Sequence, residues 1–349
     1  MKKKRVGFGI IGAGNIGPTH AAAINALGNA ELAAVADTDH KRATTLADQY
    51  GATAYGDYRE MLENPRVQAV CLCVPSGLRL PIGKVCAKAG KHLLCEKPLE
   101  VSGRRIDELI AAAEAAGIKL GCIFQSRMAQ GPQWLRQAVV QNRFGKLFLA
   151  NAYIKWFRSQ DYYTGTPWRA TWRLDGGGAL MNQGIHTIDL LQWLMGPVKT
   201  VFGQTQLAAH PGIEAEDLAI ANLSFQNGAF GTIEASTAIL ANQPTRLEIH
   251  GTTGSAVLAD NQITTWKFQD EQEIDRAILE SIGQEPELGS GSADPKAIKA
   301  EGHRRQIEDF AAAILNDRQP LIGGLEARKA VEIIEAVYRS ARLRRVVKM

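Results

Sequence analysis

The 349-residue chain predicts an α/β protein in two parts, a doubly wound parallel sheet followed by a domain built on an antiparallel, open sheet. Three observations carry this. From Val6 to about Phe124, short apolar runs alternate with amphipathic stretches, the pattern of strands joined by helical crossovers. The first run, Val6–Ile11, enters a turn whose glycines Gly12, Gly14 and Gly17 have G-x-G-x-x-G spacing. Beyond residue 198, alternating runs flank Asn227-Gly228, a dipeptide that tolerates the positive φ of a tight hairpin. The length suits two domains of ~150 residues each, and the change of pattern divides them into 1–124 and 125–349.

In the first part the expected strands are Val6–Ile11, Glu31–Ala36, Ala52–Tyr55, Val67–Val74, His92–Cys95 and Lys119–Phe124. Helices fall between them, including His40–Gln49, Leu80–Ala89 and Ile106–Ala116. The second part opens with a helix, Pro132–Gln141, and a long strand, Lys146–Phe157. An aromatic and basic loop follows, with Arg158, Tyr162, Tyr163, Trp168, Arg169, Trp172 and Arg173. Gly176-Gly177-Gly178 then opens a helix over Ala179–Met195 that Gly196-Pro197 stops. Strands are expected at Leu218–Phe225, Ala229–Ser236, Arg246–His250, Ala256–Leu258 and Ile263–Phe268. Residues 269–297 read as a polar surface excursion, and helices at His303–Leu315 and Leu325–Ala341 close the chain.

The composition is that of a globular protein with a sizeable core, 45% hydrophobic and 22% charged. A net charge of +4 is too small over this length to argue for nucleic acid, and it permits anionic ligands. Cys71, Cys73, Cys86, Cys95 and Cys122 have no His or Cys partner at zinc spacing, so they read as buried hydrophobes in a reducing compartment, with no metal. The basic start Met1–Arg5 leads into a glycine-broken strand without a cleavage pattern, so it reads as a solvated terminus rather than an export signal. No window of 18 apolar residues is present. A cytoplasmic location, with no membrane attachment, is the expectation.

The glycine turn reads as a dinucleotide site because each glycine has a separate task. Gly12 turns the chain off the strand, Gly14 removes a Cβ where a pyrophosphate approaches, and Gly17 lets the next helix pack closely. The helix expected to open near Asn15 aims its unpaired N–H groups at the phosphates. Asp37, 20 residues past Gly17 at the end of the next strand, stands where a carboxylate bonds ribose hydroxyls. In a doubly wound sheet the ligand lies beyond the carboxyl ends of the strands. Gly12, Gly14, Asn15, Ile16, Gly17, Asp37, Pro75, Ser76, Glu96 and Lys97 therefore form the expected cofactor set.

Two further stretches carry chemistry. Lys97 follows a buried strand directly, in Glu96-Lys97-Pro98; alone it reads as a surface lysine, beside a dinucleotide site as a proton-handling group whose position Pro98 restricts, a cis bond being one way to do so. In the helix after the glycine triplet, Asn182, His186 and Asp189 follow at i, i+4 and i+7, so they share a face. His186 has an ordinary pKa near neutrality and suits acid/base work, with Asn182 or Asp189 to orient it. A core histidine bonded to a carbonyl is the plainer alternative. Arg158, Arg169 and Arg173 with the loop aromatics are equally candidates to grip a sugar, carboxylate or phosphate and ordinary solvated charges.

Gly12–Gly17, the segment Gly90-Lys91-His92-Leu93-Leu94-Cys95-Glu96-Lys97-Pro98-Leu99, and Gly176-Gly177-Gly178 with Gly184-Ile185-His186-Thr187-Ile188-Asp189 resemble the Gfo/Idh/MocA oxidoreductases over essentially the whole length. The resemblance implies a Rossmann domain, a C-terminal α/β domain on a large, mostly antiparallel sheet, and bound NAD(P). It implies hydride transfer at a carbon of a sugar, cyclitol or nucleotide-sugar. It makes Lys97 the group at the reacting hydroxyl and His186 its partner. With Asn182 these two are the expected catalytic residues, and Trp168, Arg169, Tyr163, Asn182 and His186 are the expected substrate contacts. Asp37 favours NAD over NADP, because a carboxylate repels a 2′-phosphate.

Two positions depart from the family pattern: Asn182 replaces a frequent Asp, and Arg79 a frequent His. Self-association through the second sheet, as a homodimer or homotetramer, is expected from its free face. The alternatives to a dehydrogenase are an NAD-dependent glycoside hydrolase that oxidises its sugar transiently and a non-catalytic dinucleotide-sensing regulator.

Overall fold

The computed structural model describes residues 4–284 and 300–349. In chain order the elements are β1 (Val6–Ile11), α1 (Gly17–Asn25), β2 (Ala30–Ala36), α2 (His40–Asp48), β3 (Thr53–Tyr55), α3 (Tyr58–Leu62), β4 (Ala69–Leu72), α4 (Arg79–Lys88), β5 (His92–Cys95), α5 (Gly103–Ala115) and β6 (Leu120–Cys122). There follow α6 (Gln130–Val140), β7 (Leu147–Lys155), α7 (Gln160–Thr164), a π-helical turn (Ala179–Gly184), α8 (Ile185–Met195), β8 (Val198–Gln206), β9 (Leu218–Phe225), β10 (Phe230–Ser236), β11 (Arg246–Gly251), β12 (Gly254–Ala259) and β13 (Gln262–Phe268). The chain ends with α9 (Glu273–Glu280), α10 (Glu301–Leu315), α11 (Gly324–Leu343) and β14 (Val347–Lys348). It divides into two compact units, Met1–Gln125 with Lys299–Arg328, and Ser126–Ile298 with Lys329–Met349.

The first unit holds a six-stranded sheet in the order β3-β2-β1-β4-β5-β6, with every pair parallel. All six residues of β1 are buried, as a central strand covered on both faces requires. Residues 125–349 were expected to form the second domain together, yet α10 belongs to the first unit. The reason is its apolar face. Ile307, Phe310 and Ala311 join the core cluster with Phe8 of β1 and Ile24 of α1, and the Phe310 ring lies 6.4 Å from that of Phe8. Gly121 of β6 makes room for it, since a Cβ there would stand 3.0 Å from the Phe310 ring.

The second unit is built on an eight-stranded sheet in the order β13-β12-β11-β7-β10-β9-β8-β14. Every neighbouring pair is antiparallel except β7 with β10. The Asn227-Gly228 hairpin joins β9 to β10 as expected, with Gly228 at φ +88° and the Asn227 side chain accepting the Ala229 N–H. One face is lined by small and branched side chains, among them Ala150, Ala152, Ala221, Ile233 and Ala235, and α8 packs on it over β7. The other face presents Phe202, Ile220 and Phe230, exposed by 36%, 46% and 67%, on three adjacent strands.

The helix expected over Ala179–Met195 begins as the π-helical turn and becomes α-helical only at Ile185. The polar excursion after residue 268 contains α9, whose Asp275 accepts two hydrogen bonds from Arg143 (2.6 and 2.7 Å) and one from Trp266 (2.7 Å). The rest of that excursion, 285–297, lies outside the described residues, as do Met1, Lys2 and Lys3 of the basic start.

Candidate active site

In the first unit, the residues expected around a dinucleotide follow the carboxyl ends of β1, β2, β4 and β5, four strands adjacent in the sheet. Gly12 has φ +101°, and a Cβ there would stand 2.6 Å from the Cys73 carbonyl oxygen. A Cβ on Gly17 would stand 2.6 Å from the Gly12 oxygen. These two glycines are demanded by the protein itself. Gly14 is different: a Cβ there would meet nothing within 4 Å. The chain leaves that space open, which fits a group of the size and closeness of a pyrophosphate. Helix α1 opens at Gly17, later than the expected Asn15, with Ile16 as its N-cap and Pro18 in its first turn, where a missing N–H costs nothing.

Asp37 faces the same turn. Its Oδ2 accepts the Ala13 N–H at 2.7 Å and its Oδ1 the Asp39 N–H at 2.8 Å, so the carboxylate is fixed beside the glycines. Pro75 and Ser76 lead into a 3-10 turn, with Ser76 buried. Arg79 is buried and donates to the carbonyls of Val74 (3.0 Å) and Pro98. The departure at this position is therefore a tie between two strand-end loops. The Lys97–Pro98 bond is cis.

Glu96 was expected at the cofactor, but its carboxylate is buried and turned to other partners. Its Oε1 faces Nε2 of His20 (2.7 Å) and of His303 (3.2 Å), and its Oε2 accepts the Lys97 N–H at 3.2 Å. Burial pushes this carboxyl up, yet the two imidazoles outweigh burial and hold it well below the usual range. His20 moves down, chiefly through burial. His20, Glu96 and His303 are also a group of metal-ligating type within 4.8 Å. Neither histidine was singled out from the sequence; His20 sits one turn into the helix after the glycine turn, and His303 lies 207 residues from its partner.

In the second unit the glycine triplet is explained by two neighbours. A Cβ on Gly178 would stand 1.8 Å from the Glu216 carbonyl oxygen, and one on Gly177 would stand 2.1 Å from the Tyr338 hydroxyl. The Glu216 carboxylate accepts the N–H groups of Gly178 (3.1 Å) and Leu180 (2.9 Å) and the Tyr338 hydroxyl (2.9 Å). Burial pushes this carboxyl up to about 7, against those hydrogen bonds, which pull it down. It thereby caps the turn that carries Asn182.

Asn182 donates from Nδ2 to Asp175 at 2.8 Å. Asp189, considered as a partner for His186, is fully buried and takes two hydrogen bonds from Arg127 (2.7 and 2.6 Å), whose guanidinium lies 5.1 Å from the Trp193 ring. Its carboxylate ties α8 to the segment before α6. His186 itself is half-buried on the first turn of α8.

The aromatic loop forms a stack around Tyr162. The Arg169 guanidinium lies 3.7 Å from its ring centroid and that of Arg158 5.6 Å away, while Gln183 donates to its hydroxyl at 3.1 Å. Tyr163 is buried, bonded through its hydroxyl to Thr237 at 2.7 Å, and belongs to the core of this unit. Trp168 lies 5.8 Å from the Arg169 guanidinium. Trp172 and Arg173 are exposed.

Residues 6–124 match the oxidoreductase family with NAD-binding Rossmann fold, and residues 133–257 match the GFO/IDH/MocA C-terminal domain. The chain belongs to the GFO/IDH/MocA family. As a member it is an NAD-linked oxidoreductase. The WlbA dehydrogenase from Bordetella pertussis, solved in complex with NADH and UDP-GlcNAcA, is 30% identical and superposes with a TM-score of 0.91 over 100% of this chain and 99% of that one. Myo-inositol 2-dehydrogenase of Thermotoga maritima is 30% identical over 271 residues, 76% of this chain and 78% of its own. D-xylose 1-dehydrogenase (NADP(+)) 2 of Haloferax volcanii is 26% identical over 340 residues, 96% and 97% of the two chains. Among the described residues no helix is long and apolar enough to cross a membrane.

Proposed function

We propose that this GFO/IDH/MocA protein reversibly oxidises a secondary alcohol on a sugar, cyclitol or nucleotide-sugar, with NAD as hydride acceptor. The observation that carries the reading is the first-unit strand-end rim. Gly14 faces open space, Asp37 is held beside it, and Lys97 follows the end of a neighbouring strand. Asp37 supports NAD over NADP, since a carboxylate near the adenosine ribose repels a 2′-phosphate.

In this reading Lys97 donates a hydrogen bond to the reacting hydroxyl and lowers the cost of its deprotonation. His186 takes the proton, and Asn182, its amide nitrogen held by Asp175, positions a neighbouring hydroxyl. An acid/base group of this kind is worth about 10²–10⁴-fold.

The stack of Arg158 and Arg169 on Tyr162 supports a substrate with an anionic group. Two guanidinium groups gathered on one ring offer the paired donors that a carboxylate or phosphate takes. The WlbA relative, solved with UDP-GlcNAcA, points to the same class. The open sheet face with Phe202, Ile220 and Phe230 supports self-association as a homodimer or homotetramer. The reading places the protein in the cytoplasm with a small-molecule substrate, and without nucleic acid or membrane.

The test is a panel of sugars, cyclitols and UDP-sugars, UDP-sugar acids included, with NAD and the absorbance of NADH as signal. Turnover is expected with at least one of them, and Lys97→Ala is expected to abolish it with little change in NAD affinity. No NADH from any member, or full activity in Lys97→Ala, overturns the reading. Cleavage of a chromogenic glycoside without net NADH would instead favour the redox glycosidase.

A further inference from the structure

The carboxylate one residue before Lys97 is held from three directions by the first unit. An ionised carboxylate only accepts hydrogen bonds, so both imidazoles direct an Nε2–H at Glu96 Oε1. This agrees with the far side of each ring, where Nδ1 of His20 and of His303 is buried with no hydrogen-bond partner. The rings pack edge to face, with centroids 5.2 Å apart, and each fixes the other's plane. Oε2 of the same carboxylate is turned to the Lys97 backbone N–H. One turn further along α10, Gln306 accepts the Phe124 N–H at 2.9 Å and donates to the Cys122 carbonyl. The polar face of α10, at i and i+3, thus grips the carboxyl ends of β5 and β6 together.

We infer that His303 is a positioning residue for Lys97, acting through Glu96, so that α10 sets the backbone from which the lysine works. The inference rests on the reading of Lys97 as the group that meets the reacting hydroxyl. A metal ion held by the same three side chains is the rival. It fits poorly, because a histidine ligand normally gives its other ring N–H to an acceptor, and both Nδ1 atoms here lack one. The Nε2 atoms are already within hydrogen-bond distance of the oxygen they would have to share an ion with.

The experiment compares wild type, His303→Phe and His303→Gln. Phe keeps a ring and removes the donor, whereas Gln keeps an N–H at similar reach. Two readouts are taken: steady-state kinetics on the substrate found by the panel, and the acetylation of Lys97 relative to exposed Lys88, measured by mass spectrometry on the protein without substrate. In His303→Phe the expectation is a fall in kcat of about tenfold or more with KM for NAD nearly unchanged, and a labelling ratio altered by about threefold, both restored by Gln. Should His303→Phe fail to fold, Glu96→Gln carries the same two readouts with the same expectation.

Wild-type labelling and kcat in His303→Phe overturn the inference. So does a folded Gln variant no better than Phe, which would reduce the site to packing. A Zn²⁺ titration that raises the Tm of wild type but not of His303→Phe overturns it in favour of the ion. A changed labelling ratio in a protein that turns over no alcohol supports the positioning role and sinks the dehydrogenase reading instead.

Discussion

At the scale of single residues, the glycine turn separates what the fold demands from what a ligand demands. Gly12→Ala would force a side chain to φ +101° and against the Cys73 carbonyl, a cost of about 2–4 kcal/mol. Gly14→Ala meets no atom within 4 Å, so thermal unfolding should shift by no more than about 0.5 kcal/mol. NAD affinity, read by fluorescence titration, should still fall about tenfold or more. Equal loss of stability in both variants would remove the distinction. The chemistry of this turn was legible in the sequence because spacing alone dictates it. The role of Arg79 was not: its two carbonyl partners, Val74 and Pro98, come together only once β4 and β5 are paired. Arg127 was hidden for a related reason: helical spacing puts Asp189 on a face with His186, but it does not announce that a guanidinium 62 residues away also donates to that carboxylate.

At the scale of elements, the π-helical turn shows where periodicity misleads. Glycines and apolar residues marked a helix over Ala179–Met195, but its start is a π-helical turn whose N–H groups at Gly178 and Leu180 are capped by the Glu216 carboxylate, a contact that no local pattern announces. Glu216 titrates near 7 in the folded protein and at its ordinary value of 4.5 when unfolded. The native state then holds the proton more tightly. The contribution to stability is full below about 4.5 and is lost as pH rises through about 7, a swing of about 3 kcal/mol. Chemical denaturation at pH 5 and pH 8 should show this loss in wild type, and Glu216→Gln should remove most of it. An unchanged pH slope in that variant would assign the dependence to other groups. The hairpin at Asn227-Gly228, by contrast, was readable at once, since its turn chemistry lies within two adjacent residues.

At the scale of the whole molecule, the exposed face of the eight-stranded sheet is where assembly is to be tested. Phe230, 67% exposed at the start of β10, is the side chain to change. Phe230→Glu should lower the molar mass measured by light scattering from that of an oligomer to that of one chain, with the NAD affinity of the first unit retained. A wild type that runs as a single chain would end the proposal. The alternation of strands and helices made the first sheet legible, and alternating apolar and polar residues made most of the second legible, though not β8 or β14. The membership of α10 was hidden, because an amphipathic helix states that it has a buried face without stating whose core receives it.

That membership has a consequence for the order in which the protein is completed. The six strands of the first sheet leave the ribosome early, but Phe8 and Gly121 stay uncovered, and Glu96 lacks one of its two imidazoles, until the segment carrying Phe310 and His303 emerges roughly two hundred residues later. The half that begins translation is therefore among the last to be finished, and a truncated message ending after the sheet would yield the strands without the helix that closes them.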